Sequence, residues 1–233
     1  MPWDFWLIFL ILGVVIPWRG RVRLRHLLAR PTVATKEKLT LYGSTIAFQW
    51  LLVGFVAWRA HARGVTPEAL GVSREITVSL LLWAIFGGAL VGIFQWFNLK
   101  RVGRMTGAIP DLVSRLAESI LPNNSLELTV YCAVSVTAGV CEEFLYRGFA
   151  MAALSRAGIA SWAVVLLSAI LFGLAHTYQG RSGVAGTTLL GLVFGGARLA
   201  LQSLVPVIVW HTMVDLVAGR AGPKYLGASR KIQ

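Results

Sequence analysis

The chain has 233 residues, 56% of them hydrophobic, and a mean hydropathy of +0.69, which excludes an ordinary soluble domain. Its net charge of +12 raises the question of a nucleic-acid partner. The basic residues gather between apolar runs, however, where they suit anionic lipid headgroups and the control of topology, so the expected partner is the bilayer and no nucleic acid.

Several apolar runs approach or exceed the ~20 residues needed to cross a bilayer. Only helices and closed barrels satisfy the backbone in lipid, and the alternation of barrel strands is absent. The expected fold is therefore all-α: a polytopic membrane helix bundle of about seven transmembrane helices plus a short interfacial helix. Residues 5–18 form the first apolar run, flanked by Trp3, Trp6 and Trp18. No basic residue precedes it, while Arg19, Arg21, Arg23, Arg25 and Arg30 follow, which favours a retained anchor over a cleaved signal peptide.

Residues 39–58 and 76–97 are the next two expected spans, the latter with Gly88 and Gly92 at a G-x-x-x-G spacing that permits close helix packing. Residues 98–125 interrupt the pattern with a basic loop and a short amphipathic segment from Pro110 to Ile120, expected to lie at the interface. Four more spans follow at 126–156, 161–178, 184–202 (with Gly191 and Gly195 again at G-x-x-x-G spacing) and 204–217. The chain thus divides into N-terminal helices and basic loops (1–125), a core of motif-bearing helices (126–218) and a basic tail (219–233). On this span count 16 Lys and Arg residues fall on one side and five on the other, placing the N-terminus outside and the C-terminus in the cytoplasm. The excess of Arg over Lys, 17 to 5, points to a GC-rich bacterial genome and hence to a bacterial inner membrane. Cys132 and Cys141 lie on one expected helix, ~13 Å apart along its axis, too far for a disulfide.

Ionisable side chains inside apolar segments carry the functional signal, since such groups are costly in a membrane and mark function or pairing. Glu142, Glu143 and Arg147 occur in Cys141-Glu142-Glu143-Phe144-Leu145-Tyr146-Arg147, His176 ends a second segment, and His211 and Asp215 lie in a third; His26 and His61 are expected in polar loops. Glu143 and Arg147 are spaced i, i+4 with the acid first, which favours an intrahelical ion pair. Glu142 points ~100° away around the helix and is left as the freer carboxylate. It lies ~21 Å from Arg156 and His176 ~22 Å from Ser161, so antiparallel neighbours joined at 157–160 bring the two to one depth. The same counting leaves His211 ~10–15 Å out of level. Arg198 is expected to snorkel near a helix end.

These segments resemble the CPBP family, the CAAX proteases and bacteriocin-processing enzymes also called Abi. Its pattern is E-E-x-x-x-R, then F-x-x-x-H, then H-x-x-x-N or D on successive membrane helices. Here the positions are Glu142, Glu143 and Arg147, then Phe172 and His176, then His211 and Asp215. The resemblance covers roughly residues 126–218 and implies an intramembrane endopeptidase acting on a membrane-associated peptide or a lipidated protein tail. It implies that Glu142 with His176 activates water, that His211 and Asp215 stabilise the oxyanion, and that Glu143 and Arg147 support the site. The family's best-known eukaryotic members carry Asn where this chain has Asp215, so the oxyanion role requires a protonated Asp215. The family has been described both as metal-independent and as metal-dependent. If a metal such as Zn²⁺ is used, its ligands would come from Glu142, His176, His211 and Asp215, without the help of an H-E-x-x-H motif. Two other classes stay open: a non-catalytic membrane adaptor or immunity factor, and a proton-coupled carrier, although no inverted repeat is visible. The oligomeric state is not legible.

Overall fold

The computed structural model describes residues 1–30, 32–72, 75–104 and 111–227, and among these every regular element is helical. Helix α1 spans Trp3–Leu28, α2 Thr35–Ala62, α3 Val78–Arg104, α4 Asp111–Ile120, α5 Ser125–Arg156, α6 Ser161–Ala175, α7 Gly180–Leu201 and α8 Val205–Leu226. Helices α1, α2, α3 and α5 are long and apolar enough to cross a membrane, as is the stretch Thr177–Leu201 that contains α7; α6 is a shorter apolar helix. The seventh expected crossing, α8, has 22 residues and is diluted by His211, Asp215, Arg220 and Lys224. The protein is a polytopic helical membrane bundle.

Some boundaries differ from expectation. His26 and His61 lie in the last turns of α1 and α2 rather than in loops. Helix α8 runs past Gly219 to Leu226, so the expected tail begins as helix. Residues 228–233 of that tail, and Pro110 at the start of the amphipathic segment, lie outside the described residues. Arg198 does not snorkel: it is buried, and Nη2 donates to the Ala69 carbonyl 3.0 Å away.

Spatial neighbours are not simply chain neighbours. Helix α8 lies parallel to α3, with Gly88 beside Val209 and Gly92 beside Met213, and antiparallel to α5, with Gly139 beneath Thr212 and Tyr131 against Gly219. Helices α6 and α7 are antiparallel, Gly191 over Ala169 and Gly195 over Val165. Both small-residue spacings therefore mark true helix crossings. Helix α1 is part of the core rather than a detached anchor. Its Phe5, Ile8 and Leu12 are buried with Leu145, Phe149 and Phe172, and the Phe5 and Phe149 rings meet edge to face at 5.0 Å.

Charges buried at the two ends of the bundle are paired, as the cost of desolvation demands. At one end Lys38 Nζ donates to the Leu121 carbonyl at 2.6 Å and lies 3.5 Å from Glu127. At the other, Arg59 and Arg63 clasp Asp4 at 2.6 and 3.1 Å. Midway along α2 between these layers, ~15 Å from each, sits Gln49. A third polar layer therefore lies at mid-depth.

Close approach of α5 to α8 makes Gly139 sensitive. A Cβ there would collide with Thr212 Oγ1 and come within 3.0 Å of the Ile208 carbonyl oxygen, whereas one on Gly54 meets nothing within 4 Å. Gly139→Leu should destabilise by about 1–3 kcal/mol through overpacking. Gly54→Ala should be neutral or stabilise by up to about 1 kcal/mol through helix propensity. Thermal unfolding of both variants in one detergent checks the contrast.

Candidate active site

Helix α5 starts at a built cap. Asn124 Oδ1 accepts from the Glu127 amide at 2.9 Å, and Glu127 in turn accepts from the Asn123 amide at 2.8 Å. From there ~26 Å of helix carries the chain to Glu142, deep among apolar side chains. Immediately after Glu143 the helix loosens into a π segment, Phe144–Ala150, a distortion common where helices carry function. Ser168 of α6 donates to the Tyr146 carbonyl at 2.8 Å inside this segment and fixes α6 against it.

The two adjacent carboxylates face different surroundings. Glu143 is fully buried, and its Oε1 accepts from Arg147 Nη1 at 2.9 Å, the intrahelical pair expected from the spacing. The same oxygen lies 2.7 Å from His211 Nδ1 on α8. A carboxylate can only accept, so this imidazole nitrogen carries the hydrogen. Arg147, also fully buried, is covered by the Phe172 ring at 4.2 Å and the Phe194 ring at 5.7 Å. These aromatic faces partly offset the loss of water around its guanidinium.

Glu142 turns the other way. Its Oε1 accepts from Gln49 Nε2 at 2.7 Å, and its Oε2 lies 4.0 Å from His176 Nε2. Among the described residues Oε2 is buried without a hydrogen-bond partner, as is Oε2 of Glu143, but only that of Glu142 faces an imidazole acceptor. His176 Nδ1 lies 2.8 Å from the Phe172 carbonyl, to which it must donate, and this leaves Nε2 of the neutral ring as an acceptor aimed at Glu142. The Phe172 ring packs against both imidazoles, at 4.6 Å from His176 and 5.7 Å from His211. The Phe-x-x-x-His spacing thus supplies both the carbonyl that sets the His176 tautomer and the ring that separates the two histidines. Asp215 Oδ2 lies 3.8 Å from His211 Nε2, one helical turn along α8. Its side chain is 31% exposed, against 19% for Glu142, 14% for His176 and 6% for His211, so the cluster opens on the side of Glu142, His176 and Asp215.

All six residues singled out in the sequence converge here. The depth expected for His211 is corrected: it is level with Glu143. Counting through α7 fails because α8 takes its level from α5, where Gly139 meets Thr212. Gln49 escaped the sequence reading. Its signal is a lone amide inside the apolar stretch 46–53, where a polar group needs a partner.

The donor set contains metal-binding residue types, but its arrangement does not fit a metal. Among the described residues no three His, Cys, Asp or Glu side chains are disposed to hold an ion.

Fold and cluster together define a helical membrane protein with a polar site at mid-bundle. Residues 124–217 match the family model described as Type II CAAX prenyl endopeptidase Rce1-like, a segment that contains all three motifs. This match supports assignment of the chain to the CPBP family of CAAX proteases, which are hydrolases. No curated protein and no solved structure matches the chain.

Removal of one partner from a buried ion pair strands the other in an apolar interior. Arg147→Met is expected to cost about 3–5 kcal/mol. The loss should appear as a lowered unfolding midpoint of the detergent-solubilised protein, without loss of helix signal at low temperature.

Proposed function

We propose that this protein is an intramembrane endopeptidase in which Glu142 activates water for attack on a peptide carbonyl. The observation that carries this reading is the pairing of Glu142 Oε2, buried and unpartnered, with the acceptor nitrogen of His176 at 4.0 Å. That separation is too long for a direct hydrogen bond and short enough for one water to contact both atoms. In the proposed reaction the water gives one proton to Glu142 Oε2 while its second hydrogen bonds to His176 Nε2. The hydroxide formed adds to the carbonyl carbon, and the carbonyl electrons move to oxygen. Glu142 then returns its proton to the peptide nitrogen as the carbonyl re-forms and the C–N bond breaks, releasing a carboxylic acid and an amine, between which the remaining proton passes to give carboxylate and ammonium.

His211 and Asp215 are assigned to the oxyanion. His211 in its doubly protonated form donates from Nε2, and a protonated Asp215 adds a second donor. Glu143 acts as a positioning residue: its contact with Nδ1 fixes the ring through which His211 meets substrate. Arg147 holds Glu143 in turn. The substrate class proposed is a membrane-associated peptide or lipidated protein tail. The basic residues concentrated at one end of the bundle support an orientation with that end, and the C-terminus, in the cytoplasm of a bacterial inner membrane.

Glu142→Gln, expressed at the wild-type level, should abolish cleavage, and His176→Ala should reduce it by about 10²–10⁴-fold, the range of a lost acid–base partner. The measurement is a comparison of membrane-protein termini in cells carrying wild type, variant or no protein, followed by cleavage of the peptide so identified. Unchanged cleavage by Glu142→Gln would remove the protease assignment. Cleavage by purified protein should persist in excess chelator; loss that Zn²⁺ restores would move water activation from Glu142 to a metal.

A further inference from the structure

The parallel pairing of α3 with α8 leaves a cleft of about 550 Å³ on the outer surface of the bundle, away from the carboxylate–histidine cluster. Ala89 and Gly92, with little or no side chain, form its floor, and Ile93 and Val217 stand as its walls. At the C-terminal end of both helices the lining changes to Arg220 and Lys224, which are exposed. Neither cation is paired with a carboxylate among the described residues. Beside them, Lys100, Arg101 and Arg104 of α3 line a second concavity of about 390 Å³, and Lys100 Nζ lies 4.9 Å over the Trp96 ring that borders the first.

This polarity gradient runs along the helix axes, from an apolar slot at mid-bundle to a cationic mouth at the end where the basic residues gather. It is the gradient of one membrane lipid standing in its own leaflet. An apolar cleft alone would accept any acyl chain, but a mouth whose described lining carries cations and no acid selects for charge. We propose that the α3–α8 cleft is a binding site for an anionic glycerophospholipid. One acyl chain lies over Ala89 and Gly92, and the headgroup phosphate sits between Arg220 and Lys224. Arg220 offers a planar fork that matches phosphate bidentately, and Lys224 a mobile point charge. Because α8 also carries His211 and Asp215, the lipid would brace the helix on the face opposite the site.

The test uses the full chain in detergent, with native mass spectrometry to count retained lipid after addition of phosphatidylglycerol or phosphatidylcholine bearing identical acyl chains. Inorganic phosphate serves as a headgroup-free competitor. Wild type should retain phosphatidylglycerol with roughly tenfold preference, consistent with two cations at the membrane surface. Arg220→Gln/Lys224→Gln should erase that preference while leaving phosphatidylcholine retention unchanged. Arg21→Gln/Arg25→Gln, which removes the same charge elsewhere, should keep it. Ala89→Phe, at an exposed position of α3, should reduce retention of both lipids by filling the slot. Millimolar phosphate should not displace the lipid, since the chain supplies much of the hold. Equal retention of the two lipids by wild type, or loss of preference in both double variants alike, would overturn the proposal. So would displacement by phosphate alone. A circular-dichroism melt of each variant separates loss of the site from loss of the fold.

Discussion

One carboxylate oxygen holds the site together. Glu143 Oε1 receives Arg147 from its own helix and His211 from α8, at 2.9 and 2.7 Å, with Glu143 and Arg147 both fully buried. Deep in an apolar bundle none of these groups can be left alone, because an unpaired buried charge costs several kcal/mol. Each therefore obliges the others to be present. The contact also links α5 to α8, which join the first and last of the three motifs and meet again at Gly139 and Gly219. Phe172 and Phe194 close over the guanidinium, so α6 and α7 are drawn into the same constraint.

Against this fixed element the neighbouring carboxylate stands free. Helical geometry turns Glu142 about 100° from Glu143, toward α2 and α6 rather than α8. It meets one amide, from Gln49, and one imidazole nitrogen at a distance that leaves room for a small third party. Two identical side chains in adjacent positions thus have opposite tasks. One is held through a single oxygen by Arg147 and His211, and the other is bonded to Gln49 and faces His176 on the side where the cluster opens; among the described residues each keeps its second oxygen buried without a hydrogen-bond partner. His176 is prepared in the same sense: the Phe172 carbonyl four residues earlier takes its Nδ1 hydrogen and leaves Nε2 as the acceptor.

Most of this arrangement is legible in the sequence because membrane burial makes ionisable residues conspicuous. The Glu143–Arg147 pair follows from i, i+4 spacing, and the common depth of Glu142 and His176 follows from rise per residue and one short connector. Counting fails where the relevant neighbour is remote in the chain. His211 takes its level from α5, and Gln49 reaches Glu142 across 93 positions. The π segment after Glu143 has no signature in residue spacing, and Arg198 folds inward because the carbonyl it needs, that of Ala69, belongs to a turn far back in the chain. The packing of α1 against Phe149 is hidden for the same reason: a short apolar run reads alike as an anchor, a signal peptide or a core helix.

Thermal unfolding of Glu142→Gln and Glu143→Gln side by side, in one detergent, separates the roles of the two glutamates. Glu142→Gln should unfold close to wild type, because it loses no buried ion pair. Glu143→Gln should be destabilised by about 3 kcal/mol or more, because Arg147 and His211 lose their shared charge. Equal destabilisation of the two variants, or a larger loss in Glu142→Gln, would contradict this division of roles.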